Sequence, residues 1–438
     1  MAVPRQTDVL VLGAGVLGVT VAYWLTSLYD CTVTLADRSP YAGANATARN
    51  TGVIHRPFYL DPVKKRVFAR SALISRGLWK AFAEEEGLPW SPTGTYNAAV
   101  EEREIRTLET YRAWGVENGM DATEMELLDA REVRSREPEV TCRAALYSKT
   151  DVSVDFAAFT RRILRRLLSK GVGFLGGREL TGVRKEGGGA LAEFESADGR
   201  ELVRCGFLVN AAGGGALGVA QRMGFARRFA ALHFRGEYWV VEGPLSSKVT
   251  SNVYRPPRFP QYPFLDPHFV VRADGSRQIG PNAVVVPGPY VYSGAGLTKL
   301  PQVLERPAAP KVRLLADRGF ASLVLREWRS SLSKGVMCGR VKEFIPALEP
   351  SMLKRHAVFG VRSSVVDAQG FVSEALLFKG EGSAHIINYN SPGATGAPAY
   401  SARVVDELRS AGLLARLRPR KESVGLPGWS FDDVIAGF

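Results

Sequence analysis

An α/β fold, α+β overall, is predicted for this 438-residue chain by three observations. The first is a strand, a glycine turn, a helix, a second strand and an acid in succession between Thr7 and Asp37. The second is the return of apolar strands running into small-residue turns at two distant places, Phe207 to Gly213 and His385 to Gly396. The third is a change of texture at Ala231, after which short aromatic and β-branched runs read as sheet. Together they predict an interrupted Rossmann-like domain with a β-rich, mixed or antiparallel substrate domain set into it. Residues 1–90, 143–225 and 345–438 are assigned to the first, and 91–142 and 226–344 to the second. A single NAD-type unit would run continuously over ~150 residues. Three dispersed strand–turn segments instead favour one large flavin nucleotide wrapped by a discontinuous domain.

The opening unit carries the strongest motif, Gly13-Ala-Gly15-Val16-Leu17-Gly18. Gly13 permits a tight turn, Gly15 lets the backbone approach a pyrophosphate, and Gly18 allows close helix–strand packing. Phosphate oxygens at the start of the following helix would meet unpaired N–H groups and partial positive charge. Asp37 closes the second strand at the ~20-residue spacing expected of a ribose-binding acid. Next come a small-residue loop and the run Arg49-Asn50-Thr51-Gly52-Val-Ile-His55. A 3.6-residue pattern predicts a helix from about Pro62 to Glu86, stopped by Gly87. Thr93 to Val100 reads as a strand, Glu101 to Asn118 as an acidic peripheral helix, and Leu127 to Pro138 as a short helix. Ala144 to Tyr147 is a strand candidate, and Asp155 caps a helix running to Lys170. Val172–Leu175, Leu191–Phe194 and Leu202–Cys205 alternate like paired strands around glycine turns, before Phe207–Gly213 and a helix at Ala216–Met223. Further on, Pro287 to Pro310 is loop-rich, Arg313 to Ser333 helical, and His356 to Val365 and His385 to Tyr389 are strands. A helix from about Pro398 to Ala415 and a basic tail complete the chain.

Composition narrows the function classes. A hydrophobic share of 45% and a charged share of 23% are those of an ordinary globular protein. The net charge of +13 comes without any run of five basic residues. It fits attraction for anionic small molecules, and no nucleic-acid partner is expected. The four cysteines, Cys31, Cys142, Cys205 and Cys338, have no metal-ligand spacing, which predicts no metal site and a reducing, cytoplasmic location. Val9 to Leu25 imitates a membrane span, yet the glycine spacing inside it explains the run as a nucleotide-binding unit. Peripheral membrane contact and oligomerisation stay open.

The chain resembles the D-amino-acid-oxidase-like superfamily of FAD oxidoreductases, and most of all its L-2-hydroxyglutarate oxidase/dehydrogenase branch. The resemblance rests on the Gly13–Gly18 turn, Arg49–His55, Val209-Asn-Ala-Ala212-Gly213, Phe234-Arg-Gly-Glu-Tyr238, Pro263–Phe269, Gly280-Pro-Asn-Ala283, Gly360-Val-Arg362 and Ser391-Pro392-Gly393-Ala394-Thr395. It implies FAD as cofactor, with Gly13, Gly15, Val16, Leu17, Gly18, Asp37 and Arg38 at the ADP part. Arg49, Asn50, Thr51, Gly52, Ala212, Gly213 and Arg362 would line the pyrophosphate and flavin. Pro392, Gly393, Ala394 and Thr395 would present N–H groups to the flavin edge that gains negative charge on reduction. Cys338 is a minor candidate for covalent attachment of the flavin.

The implied chemistry removes hydride from the α-carbon of a small carboxylate while a base takes the hydroxyl or amine proton. Histidine is the side chain suited to that near neutral pH, and His55 and His268 are the candidates. For His233, His356 and His385 a core role is the better reading. A carboxylate calls for the fixed fork of an arginine, and Arg362 is chosen, with Arg56, Arg235, Tyr238 and Tyr254 as further substrate-binding candidates and Arg255 and Arg272 behind them. An L-2-hydroxy acid is the expected substrate and an acceptor such as a quinone or dye the expected partner. L-Proline or another secondary amine is the alternative within the fold. A tRNA-modifying flavoprotein and a non-catalytic subunit are the readings outside it. Three stretches depart from the branch: Arg56-Pro57-Phe58 after His55, Ser363-Ser364 after Arg362, and Asn388-Tyr-Asn-Ser-Pro-Gly393.

Overall fold

In the computed structural model, residues 4–264, 266–293, 308–357, 359–421 and 425–438 are described. The first strand, Arg5–Leu12, lies inside an eight-stranded sheet. Val33–Asp37 pairs parallel on one side of it and Gly199–Asn210 on the other. Gly173–Gly176 and Ser383–Ile387 extend the parallel core outward. Segments from the beginning, middle and end of the chain therefore share one sheet, the interrupted nucleotide-binding arrangement that the dispersed motifs predicted. An antiparallel hairpin of Glu179–Glu186 and Gly189–Ser196 continues from Gly199–Asn210. The sequence separated Leu202–Cys205 from Phe207–Asn210, whereas one strand carries both, because its outer half pairs with the hairpin and its inner half with Arg5–Leu12.

Three helices, Val16–Leu28, Arg66–Glu86 and Gly393–Ser410, pack together over this sheet. Arg66–Glu86 ends where Gly87 takes a left-handed conformation, a C-cap that glycine adopts without a Cβ penalty. The helix Phe156–Ser169 starts as predicted on Asp155, whose carboxylate accepts from Ala157 N and Ala158 N. Gly393–Ser410 begins five residues earlier than Pro398 suggested. Pro398 sits inside it, and the packing of a largely buried helix outweighs the hydrogen bond a proline forgoes. The apolar end of the tail, which the sequence expects to pack on the body, folds back as Phe431–Ala436. Trp429 enters the core against Tyr23, Trp24, Trp79 and Phe82, its indole N–H donating to Leu78 O.

The β-rich part consists of two sheets. One holds Val284–Val286, Ala230–Gly236, Gly360–Asp367 and Gly370–Phe371, and the other runs from Leu353–His356 through Trp239–Val241, Arg277–Gly280, His268–Val271, Asn252–Tyr254, Thr95–Ala99 and Ala144–Ser148 to Met125–Asp129. Strand pairing departs from the expected boundaries at two places. Ala144–Ser148 hydrogen-bonds to Thr95–Ala99, and Leu353–His356 and Gly360–Asp367 join the sheets of the inserted part. Leu127 to Asp129, expected to open a helix, instead end the strand Met125–Asp129. Asp129 then caps the helix Ala130–Arg136 through a reciprocal bond with Glu132. The helix expected from Arg313 to Ser333 is two, Ala308–Ala316 and Arg318–Leu332, broken at Asp317, which caps the second. Of the loop expected at Pro287–Pro310, residues 294–307 lie outside the described ones. No described helix is long and apolar enough to cross a membrane, and no cluster of metal-ligating side chains occurs among the described residues.

Candidate active site

A cavity of about 520 Å³ runs between the nucleotide sheet and the two inserted sheets. Its lower end is built by the first turn. Gly13 has φ +100°, and a Cβ there would sit 2.4 Å from Ala211 O; one on Gly18 would sit 1.8 Å from Gly13 O. Both positions exclude side chains for steric reasons, and the backbone is left free to approach a ligand along Gly13–Leu17. Asp37 is locked at the end of its strand, accepting from Ala14 N at 2.7 Å and Ser39 N at 2.8 Å. Thr47 Oγ1 accepts from Val16 N at 3.0 Å, so one N–H at the helix start already has a protein partner.

Cofactor candidates Gly13, Gly15, Val16, Leu17, Asp37, Arg38, Arg49, Asn50, Thr51, Ala212, Gly213, Arg362, Pro392, Gly393, Ala394 and Thr395 all line this cavity. Gly18 and Gly52 do not. Gly18 serves the helix–strand contact, and Gly52, with φ +72°, would press a Cβ onto Val154 O. Asn50 braces its own turn, donating to Ala46 O and Thr47 O and accepting from Gly52 N. Gly393, Ala394 and Thr395 form the first turn of a helix, where backbone N–H groups lack partners four residues earlier. The glycine cradle, the acid at the strand end and this ring of N–H donors match what an FAD requires.

At the other end stand His55, Tyr238, Tyr254, His268 and Arg362. Val53–Ile54 pairs with Val152–Ser153, and this short ladder sets His55 beside Asp151. Asp151 is fully buried, and its Oδ2 lies 3.3 Å from His55 Nδ1. It also accepts from Ser148 Oγ at 2.6 Å, Thr95 Oγ1 at 2.9 Å and Arg56 N at 3.3 Å. A carboxylate opposite Nδ1 assigns the proton to that nitrogen and leaves a lone pair on Nε2. The same logic holds for His268, whose Nδ1 faces Asp266 O at 3.1 Å while its buried Nε2 has no protein partner. Burial lowers the His268 pKa to about 3, so the ring is neutral, stacked on Tyr254 at 3.9 Å. The buried Tyr254 hydroxyl is likewise without a partner, and burial raises its pKa well above the ordinary value.

Arg362 donates to Pro263 O, and among the described residues no carboxylate lies within ion-pair distance of it. Burial pulls its pKa down. Nearby Lys65 is lowered to about 8, first by burial and then by the Arg362 charge. Arg56 and Arg235 are not in the lining. Arg56 turns behind His55 onto Glu124 at 2.5 Å, and Arg235 pairs with Glu237 at 2.8 Å. Arg255 is taken up by Glu101, Glu104 and Glu343. Arg272 donates to Asn50 O and so braces the turn at Arg49–Gly52. Cys338 is buried in the second core, outside the cavity lining. His233, His356 and His385 also lie outside it; His385 is held between Asn210 and Ser383 in the core. Sequence reasoning missed Asp151, which carries no local signal and reaches His55 only through strand pairing. It also missed Tyr59, whose ring meets His55 edge to face at 5.9 Å.

Comparison with known proteins agrees with this geometry. Residues 8–408 match the family described as FAD dependent oxidoreductase. An L-2-hydroxyglutarate dehydrogenase of Salmonella houtenae is 26% identical over 405 residues, covering 92% of this chain and 93% of its own. The mitochondrial L-2-hydroxyglutarate dehydrogenase of Homo sapiens is 24% identical over 427 residues, covering 92% and 88%. Among solved structures, an FAD-bound L-alpha-glycerophosphate oxidase from Mycoplasma pneumoniae superposes with TM-score 0.71 at 20% identity, covering 98% of each chain. An L-proline dehydrogenase from P. horikoshii reaches 0.66 at 17% identity, covering 97% and 96%. At those identities the two structures establish the fold.

Proposed function

The chain belongs to the FAD dependent oxidoreductase family, and on that premise we propose that it oxidises an L-2-hydroxy acid, a 2-hydroxyglutarate-like carboxylate, and passes the electrons to an acceptor such as a quinone or dye. The observation that carries the reading is the charge pattern of the upper cavity. Arg362 offers a fork of donors with no carboxylate partner among the described residues, His55 and His268 offer two imidazole lone pairs, and the only acids among the described lining residues, Asp37 and Glu179, belong to the nucleotide end. A hydroxy acid brings one anionic group and a neutral hydroxyl. An amino acid brings an ammonium for which no described lining residue at this end supplies a carboxylate.

Arg362 binds the substrate carboxylate bidentately and fixes the α-carbon. His55 Nε2 takes the hydroxyl proton, while Asp151 on Nδ1 holds the tautomer and steadies the imidazolium. His268, neutral and stacked on Tyr254, accepts a hydrogen bond and keeps the wall dry. Bound FAD supplies the hydride acceptor, and the first-turn N–H groups of Gly393 to Thr395 are placed to stabilise its added charge. The test is anaerobic mixing of the yellow holoenzyme with L-2-hydroxyglutarate, other L-2-hydroxy acids, L-proline and other amino acids. Bleaching by a hydroxy acid is expected. Bleaching by amino acids alone would overturn the substrate assignment.

A further inference from the structure

The inserted sheet sends a short segment back across the nucleotide groove. Shortly after the strand Val284–Val286, Pro289, Tyr290 and Tyr292 touch the groove's two lips. On one lip, the Tyr290 ring lies over the Arg38 guanidinium at 3.9 Å and the Tyr292 ring over Arg49 at 4.1 Å. Tyr292 also donates its hydroxyl hydrogen to Asn45 Oδ1 at 3.1 Å. On the other lip, a Cβ on Gly214 would stand 2.6 Å from Pro289 Cβ, and one on Gly215 would stand 2.8 Å from the Tyr290 hydroxyl. Gly214 and Gly215 thus leave the room in which the segment lands. Tyr292 N donates to Tyr290 O, so one tight turn presents both rings.

We propose that residues 288–293 are a strap that retains the dinucleotide: Tyr290 and Tyr292 clamp Arg38 and Arg49 across the groove, and FAD leaves only when both rings lift. Pro289, Tyr290 and Tyr292 line the same cavity as Gly13, Asp37, Arg49 and Ala212, so the strap is a wall of the nucleotide site. The two arginines it holds lie at opposite ends of the Asp37–Asn50 loop, one beside the ribose acid and one beside the flavin loop. Closing the strap therefore fixes the whole loop at once. A strap rooted in the inserted sheet also ties cofactor retention to the docking of that sheet on the nucleotide domain.

Release is read without substrate, so the identity of the oxidised acid does not enter the test. Purified holoenzyme is diluted to nanomolar concentration and the recovery of free-FAD fluorescence is followed in time. Replacing both rings (Tyr290→Ala with Tyr292→Ala) is expected to speed release by about tenfold, the combined worth of two cation–π contacts of about 0.5–1 kcal/mol each. The Tyr290→Phe with Tyr292→Phe pair keeps both rings over their arginines and is expected to stay within about threefold of the parent, since the cation–π contact needs the ring and not the hydroxyl. Thermal midpoints of the FAD-stripped proteins are expected to agree. Unchanged release in the Ala pair, or equal acceleration in the Phe pair, overturns the strap. So does a stripped Ala protein that melts as far below its parent as the loaded one. If the Ala pair does not fold, Tyr292→Leu alone carries the same comparison.

Discussion

Replacing Arg362 by methionine separates a binding role from a structural one. Its guanidinium sits at the cavity with Pro263 O as hydrogen-bond partner, Tyr59 and Tyr238 as electrostatic neighbours, and Lys65 close enough to feel its charge. A cation removed from water without a carboxylate destabilises the empty protein. Methionine of similar length relieves that cost, so the FAD-stripped variant should melt at or above the parent temperature. Catalysis should suffer in the opposite sense. Two charge-assisted hydrogen bonds to the substrate carboxylate, at about 1.5–3 kcal/mol each, sum to about 3–6 kcal/mol. At about 1.4 kcal/mol per factor of ten, kcat/KM for the L-2-hydroxy acid should fall by about 10²- to 10⁴-fold. Stopped-flow flavin bleaching against substrate concentration gives the ratio, and differential scanning fluorimetry gives the midpoint. A kcat/KM within about fivefold of the parent, about 1 kcal/mol in transition-state terms, would refute the carboxylate role. A large fall in thermal midpoint would show that Arg362 holds the fold.

Gly13→Ala should abolish FAD uptake, read as loss of yellow colour after reconstitution, because the new Cβ meets backbone at 2.4 Å in a residue with φ +100°. Trp429→Ala empties a buried site among Tyr23, Trp24, Trp79 and Phe82 and should cost about 3–5 kcal/mol in denaturant unfolding. Burial lowers His233 and His385 to about 4 and His268 to about 3, from an unperturbed 6.5. Each ring is therefore neutral in the fold; its contribution is complete above pH 6.5 and is lost as the pH falls toward 4. The thermal midpoint should drop over that window, and His385→Asn should make the drop shallower.

How much of this was legible depended on the range over which each signal acts. The Gly13–Gly18 turn, the Asp155 cap and the Gly87 stop are local steric and hydrogen-bonding devices, and reading them needs only neighbours a few residues away. The His55–Asp151 contact depends on the pairing of Val53–Ile54 with Val152–Ser153, about a hundred residues apart, and nothing near either residue announces it. Arg235 was misread although the signal was present. Glu237 stands two residues on, at the period that puts side chains on one face of an extended chain, and the pair neutralises itself. The sequence places the start of the Gly393 helix at about Pro398, a residue type that suits a first turn. Tertiary burial of residues Thr395 to Ser401 decided otherwise.

The three departures from the L-2-hydroxyglutarate branch do not bear equally on the substrate. Arg56-Pro57-Phe58 looked disruptive beside His55, yet all three residues face away from the cavity. Arg56 reaches Glu124, Pro57 O accepts from Asn118, and Phe58 packs in a separate small core. They rebuild the support behind the imidazole and leave its cavity face alone. Ser363 and the run Asn388 to Gly393, by contrast, stand in the cavity wall. Asn388 Oδ1 accepts from Val365 N and from Asn390 Nδ2, so the two asparagines act as one rigid unit facing Arg362's strand. The run also sets Tyr389 into the lining, its ring stacked between Phe68 and Tyr400. On the proposed reading, Arg362 would anchor the carboxylate and His55, backed by Asp151, would take the proton at the reacting end of a 2-hydroxy acid, so the choice among such acids would fall to the wall of Asn388, Tyr389 and Asn390.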